Sequence, residues 1–162
     1  MSNQAWVINA SPLILMGKLD RLDIIQRLAP QLIVPSAVIQ EISAGICDTT
    51  TARTIEWATQ FAAPDKAVPA SILSWDIGTG ESQVLTHCLS TERTAILDDG
   101  AARAAAKAHQ VQLLGSLGII LRAKAGGLIP AARPLIEQLV ACGSYLSAEL
   151  VNAALHKVGE SH

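Results

Sequence analysis

The chain has 162 residues, half of them apolar, with a mean hydropathy of +0.35 and 16% charged residues. That is enough for one domain with a substantial core, and it excludes a disordered chain. A formal net charge of −2 excludes strong indiscriminate binding of nucleic acid through phosphates, and three widely spaced cysteines without a CxxC pair exclude a disulfide framework.

Aromatic residues are only 3% of the chain, so the core has to be built from Leu, Ile, Val and Ala. Trp6-Val-Ile8 is short and apolar without polar alternation, as expected of a strand buried on both faces. Ser11-Pro12 opens a helix, Ser as its cap and Pro in its first turn, with Leu13, Leu15, Met16 and Leu19 at helical spacing. Asp20 caps a second short helix to Leu28, and Pro30 ends it. Leu32-Ile-Val34 reads as the second strand, and Pro35 starts a helix that Gly45 stops. A helix over Thr49–Phe61 follows, then a weak third strand at Asp65–Val68 and one helical turn at Ala70–Leu73.

Gly78-Thr-Gly80 runs into a helix over Thr79–Leu89. Thr94–Leu97 is the fourth strand, Asp99–His109 an Ala-rich helix, and Val111–Leu114 the fifth strand. A helix from Gly115-Ser116 reaches Ala125, where Gly126-Gly127 ends it. Ala131–Val140 and Ser147–Val158 are two further helices, expected to pack back on the domain or to form an oligomer contact. Short apolar strands alternating with helices predict a Rossmann-like three-layer α/β/α fold. Its central parallel sheet has about five strands, in a single domain over 1–162 with right-handed crossovers.

Cys47, Cys88 and Cys142 read as reduced thiols, and Cys88 beside His87 as a core pair rather than a nucleophile. The N-terminus lacks a basic segment, and its apolar run is broken by Asn9, Ser11 and Pro12, so no signal peptide is expected. Nor is a membrane span. The expectation is a soluble, cytoplasmic protein.

In a parallel sheet the carboxyl ends of all strands meet along one edge, where α/β proteins keep their chemistry. Asn9 follows the first strand, and Asp98 and Asp99 follow the fourth. Glu41 lies two turns into the helix after strand two, and Glu81 in the first turn of the helix before strand four. Gathered together, these five residues form an oxygen-rich pocket. Clustered carboxylates raise each other's pKa, and a divalent ion removes that cost. Oxygen-only ligands select Mg²⁺ or Mn²⁺ over zinc. The histidines do not have zinc spacing, and His156 and His162 fall near the tail.

From Glu41 to Asp99 there are nine acids and three bases. From Gly100 to Ile136 there are Arg103, Lys107, Arg122, Lys124 and Arg133, and no acid. An acidic pocket beside a basic flank suits metal-dependent chemistry on a phosphodiester. The plainer alternative is that the bases are solvated helix faces, Glu41 and Glu81 surface acids, and Asp98-Asp99 a helix cap.

Five segments, in order, carry a family resemblance: Val7-Ile-Asn-Ala-Ser-Pro-Leu-Ile14, Ile33-Val-Pro-Ser-Ala-Val-Ile-Gln-Glu-Ile42, Gly80-Glu-Ser82, Ala95-Ile-Leu-Asp-Asp99 and Gly115–Lys124. From about Trp6 to Leu150 the chain resembles a PIN domain, in the branch with an Asn-Ala-Ser-Pro-Leu start and a late Asp-Asp pair. The resemblance implies a metal-dependent ribonuclease with Mg²⁺ or Mn²⁺, often a toxin paired with a small antitoxin protein, with RNA as substrate and a homodimer as a further possibility. Carried over by position, Asn9 stands at the first acid of the family, Glu41 at the second, Glu81 at the third, and Asp98 or Asp99 at the fourth. Ser11 matches a hydroxyl residue near the first acid. Ser11, Arg103 and Ser116 are the candidate substrate contacts, Arg103 being placed either to pair with the acids or to touch phosphate.

Asn9 departs from the family pattern: an amide oxygen can ligate a metal but brings no charge. The alternative is therefore a catalytically weak PIN-like module that binds RNA or protein. Two other readings are weaker. A dinucleotide site at Gly78-Thr-Gly80 lacks the third glycine and a preceding strand. A phosphoacceptor domain wants its acid pair at the first strand, where Asn9 stands.

Overall fold

The structure, a computed structural model, describes residues 4–45 and 48–160. Cys47 and His162, both read in the sequence, lie outside the described residues. In chain order the elements are β1 (Ala5–Ile8), α1 (Ala10–Lys18), α2 (Leu22–Leu28), β2 (Leu32–Pro35), α3 (Ser36–Ser43), α4 (Thr49–Thr59), β3 (Ala62–Ala63), α5 (Ala70–Leu73), α6 (Thr79–Leu89), β4 (Arg93–Ile96), α7 (Gly100–Ala108), β5 (Gln112–Leu114), α8 (Ser116–Ala125), α9 (Arg133–Ala141) and α10 (Ala148–Lys157).

The five strands form one all-parallel sheet in the order β3-β2-β1-β4-β5, flanked by the helices as a three-layer α/β/α fold. β1 is central, in register with β4 from Ala5 opposite Arg93 to Ile8 opposite Ile96. Val7, Ile8, Ala95, Ile96 and Leu97 have no solvent exposure, which is why these strands show no polar alternation. The direction in which strands are added reverses between β1 and β4. That is the topological switch point, where the two connections leave in opposite directions and open a crevice beyond the carboxyl ends.

Three expectations are corrected locally. The third strand is Ala62–Ala63, not Asp65–Val68. Asp65 instead accepts a hydrogen bond from Ala37 N (2.9 Å), at the start of α3, and the backbone of Lys66 pairs with the side chain of Gln83 in both directions (2.9 and 2.7 Å). With Pro64 and Pro69 at its ends, this segment has its polar groups committed to side chains rather than to a ladder. Second, α1 begins one residue before Ser11, with Asn9 at the cap position. Third, Asp20 adopts a left-handed backbone (φ +56°) and Arg21 takes the cap position of α2, its guanidinium on Asp23 at 3.0 Å.

The last helices pack back on the domain. Leu135, Ile136 and Leu139 of α9 and Leu155 of α10 join the main core. Glu160 fastens this end: its carboxylate accepts from Ala132 N (2.6 Å) and Arg133 N (3.1 Å), and Lys124 lies 3.7 Å away. These contacts hold its pKa below the usual carboxylate range, the backbone bond from Ala132 first among the causes. Lys124 and Arg133, part of the expected basic flank, are thus engaged inside the fold, while Lys107 and Arg122 are solvated. Among the described residues no helix is long and apolar enough to cross a membrane.

Candidate active site

β1 ends at Ile8, and the chain turns directly into α1. Asn9 bridges the two: its N–H donates to Ile96 O on the neighbouring strand (3.1 Å), which places it beside the end of β4. An asparagine at a helix cap ordinarily accepts a hydrogen bond from the first turn of its own helix. Asn9 does not. The residue is 2% exposed, and among the described residues its Oδ1 has no hydrogen-bond partner. A buried acceptor without a partner costs about 1–3 kcal/mol, so its presence asks for a ligand.

Glu41 and Glu81 reach the same place from α3 and α6, which pack against each other. The link is Gly80. A β-carbon there would lie 3.1 Å from both Asn9 Oδ1 and Glu41 Oε1, so the two oxygens face a common small space that glycine leaves open. Burial, and secondly the charge of Glu81, push the Glu41 pKa up, although Glu41 as a residue retains solvent access. The Glu81 carboxylate turns back over Gly78 at the amino end of α6, where a side chain would collide with it and where the helix dipole favours negative charge.

The two aspartates divide their tasks. Asp98 accepts from Ser116 twice, Oδ1 from the backbone N–H (2.8 Å) and Oδ2 from Oγ (2.7 Å), tying the end of β4 to the start of α8. Asp99 is exposed and accepts from Ala102 N (2.9 Å) as the cap of α7. The expectation of a substrate contact at Ser116 meets a side chain 1% exposed, with both its donors on Asp98. Arg103 donates Nη1 to Leu97 O (2.8 Å), and among the described residues it forms no ion pair with Asp98 or Asp99. Ser11 is exposed at the rim.

Asn9, Glu41, Glu81, Asp98 and Asp99 all line one open cleft of about 500 Å³. Sequence reasoning missed two contributors. One is Gly80, read as part of a loop-to-helix motif but not as a wall of the site. The other is the segment from Cys142 to Leu146, which also lines the cleft. A signal for the second was present in Gly143, an ending for α9, but nothing in the local pattern says where the chain goes next.

A sequence profile described as PIN domain matches residues 5–160. This chain belongs to the PIN domain family. No curated protein matches it at a significant level. The family has a nuclease-type fold, and its members generally use divalent metals. The donor set of this PIN domain fits such an ion in chemistry: it offers oxygens only, one of them orphaned, with two carboxylates whose mutual repulsion a cation would relieve. Among the described residues, no three or more His, Cys, Asp or Glu are gathered closely enough to form a cage by themselves. Mg²⁺ does not require one, because it keeps several waters and binds through one or two carboxylates.

The pair His87 and Cys88 lies elsewhere, buried in α6. Burial pushes the Cys88 thiol up to about 12 and the His87 imidazole down, so neither is a nucleophile or a cation at neutral pH.

Proposed function

We propose that this PIN domain is a divalent-metal-dependent endoribonuclease, using Mg²⁺ or Mn²⁺, and the toxin component of a cytoplasmic toxin–antitoxin pair restrained by a small antitoxin protein. The observation that carries the reading is the buried, unpartnered Oδ1 of Asn9, which shares an open space with Glu41 Oε1. An acceptor left bare at a helix cap carries a desolvation cost that a ligand in that space would offset.

In this reading Asn9, Glu41 and Asp98 would hold the ion, and Glu81 and Asp99 add negative charge to the same cleft. When bound, the ion supplies an activated water and charge stabilisation on the scissile phosphate. Ser116 fixes the Asp98 carboxylate through two hydrogen bonds, so that ligand is oriented before substrate arrives. Burial and the neighbouring Glu81 charge raise the Glu41 pKa in the metal-free protein, a cost that a bound cation would relieve. Ser11, which lines the acidic cleft, and Arg103, which lines the adjoining hollow, are the polar groups we assign to the RNA backbone.

The test is calorimetric titration with Mn²⁺ of wild type and of Asp98→Asn plus Asp99→Asn, alongside cleavage of single-stranded RNA in Mn²⁺ and in EDTA. Loss of binding and of cleavage in the double variant supports the reading; equal Mn²⁺ binding in both proteins sinks the site. A second reading, a weak or inactive module that binds RNA or protein, is favoured by the missing charge at Asn9 and by the use of Asp99 as a helix cap. Asn9→Asp separates the two: a gain in cleavage indicates a weakened metal site, and no gain indicates a binding module. Sedimentation of wild type reads the homodimer.

A further inference from the structure

α9 does not simply stop. Gly143 N donates to Val140 O (3.0 Å) and Ser144 N to Leu139 O (3.2 Å), with Gly143 in the left-handed region at φ +105°. This paired reversal, which glycine permits without strain, leads the chain along the acidic cleft, which Cys142 to Leu146 help to line. At its far end Ser147 caps α10 by accepting from Leu150 N (3.1 Å). The strap between them is thus anchored at both ends, and it carries Tyr145.

Tyr145 is the chain's single tyrosine, and it is 95% exposed. The other aromatic residues pack more: Trp6 is buried, Trp57 and Phe61 lie against each other at 5.0 Å, and Trp75 is far less exposed than Tyr145. Tyr145 also stands at a boundary. It lines the acidic cleft and a neighbouring hollow of about 420 Å³ floored by Leu113, Leu117 and Leu121, and the two hollows share Asp98, Ser144, Tyr145 and Leu146.

From this placement we infer that Tyr145 is a stacking platform for a nucleobase of single-stranded RNA, with the leucine-floored hollow taking the base next to the phosphate in the acidic cleft. The inference rests on the nuclease reading and adds what grips the substrate. Among the described residues lining the two hollows, Arg103 is the one cationic side chain. Beyond the bound ion, phosphate contacts there contribute little, and the bases are the remaining source of affinity. An aromatic face supplies it without sequence preference, and single strands offer bases free to stack. The hollow's continuity with the cleft through Asp98 and Tyr145 selects a base of the substrate over an unrelated apolar ligand.

The experiment uses the full chain, Tyr145→Ala and Tyr145→Phe, with fluorescein-labelled oligouridylate in Mn²⁺, read by anisotropy and by cleavage kinetics. Tyr145→Ala is expected to weaken binding about 5- to 150-fold and to raise KM with kcat nearly unchanged. Tyr145→Phe is expected to retain wild-type affinity. A ribose-phosphate chain without bases is expected to bind wild type and Tyr145→Ala equally. Because the ring is solvated, the melting temperature of both variants should match wild type, which separates this role from a structural one. If wild type cleaves the oligomer and Tyr145→Ala matches it in affinity and KM, stacking is refuted while the nuclease reading stands; the exposed ring then belongs to a protein contact. If wild type neither binds nor cleaves in Mn²⁺, the nuclease reading falls and this inference with it.

Discussion

Gly80→Ala tests the open space between Asn9 and Glu41 without removing a single ligand. The added methyl carbon would sit 3.1 Å from Asn9 Oδ1, 3.1 Å from Glu41 Oε1 and 3.6 Å from Val38 Cγ2. Gly80 lies in the first turn of α6, where alanine is favoured over glycine by about 0.5–1 kcal/mol. Against that stands a tight contact that the flexible end of Glu41 can relieve by a small movement. The metal-free stability should therefore stay within about 1 kcal/mol of wild type. The response to metal should not survive. An ion bonds to oxygen at about 2.1 Å, and a methyl group placed between the two oxygens occupies the space it needs. In wild type, Mn²⁺ at a hundredfold excess over its Kd adds about 2.7 kcal/mol. For a chain of this size that raises the melting temperature by roughly 5–11 °C. The assay is thermal unfolding by circular dichroism with EDTA and with Mn²⁺. The expected result is a shift in wild type and none in Gly80→Ala. An equal shift in both proteins would show that the ion does not sit between Asn9 and Glu41.

Four further outcomes are expected. Asn9→Asp places a carboxylate in a site 2% exposed and beside Glu41, so unfolding in EDTA should show a loss of about 2 kcal/mol or more, recovered in Mn²⁺. Ser116→Ala removes one of the two hydrogen bonds that hold Asp98; denaturant unfolding should show a loss of about 1–3 kcal/mol, and cleavage should fall while the Asp98 backbone contact remains. Glu41 has a raised pKa, so its charge opposes folding above that pKa and the penalty disappears as the pH falls below its ordinary value. Glu41→Gln should then stabilise the metal-free protein by less than about 1 kcal/mol at neutral pH, because the residue is largely solvated, and abolish the Mn²⁺ shift in the same melts. His87 moves the other way: its pKa is lowered from 6.5 chiefly by burial, so stability should be lost as the pH falls from 6.5 toward the lower folded value. The limiting slope is about 1.4 kcal/mol per pH unit, and His87→Gln should flatten it in a pH series of urea melts.

Much of the architecture was legible because it rests on period and punctuation. Apolar runs such as Trp6-Val-Ile8, too short for a buried helix and bounded by breakers, fit strands buried on both faces, and the helices between them are marked by Pro35, Gly45 and Gly126. The weak third strand was not legible, because β3 is two residues long and the stretch after it is held by Asp65 and Gln83 from outside the sheet. The convergence of Asn9, Glu41, Glu81 and the aspartate pair could be anticipated from strand ends and family position, but two distinctions could not. Asp98 and Asp99 are identical in type and adjacent, and what separates them is which amide each one meets: Ser116 across the sheet edge, or Ala102 one turn ahead. Asn9 is the sharper case. The local pattern around it is a good helix cap, and every propensity says that its side chain should close on its own first turn. It stays open because Gly80, seventy-one positions further along, leaves space in front of it and Glu41 draws in from the opposite side. A local rule broken without a local reason, at the switch point of a parallel sheet, is where a site is expected, and the proposed ion would meet the acceptor that the chain leaves unmet.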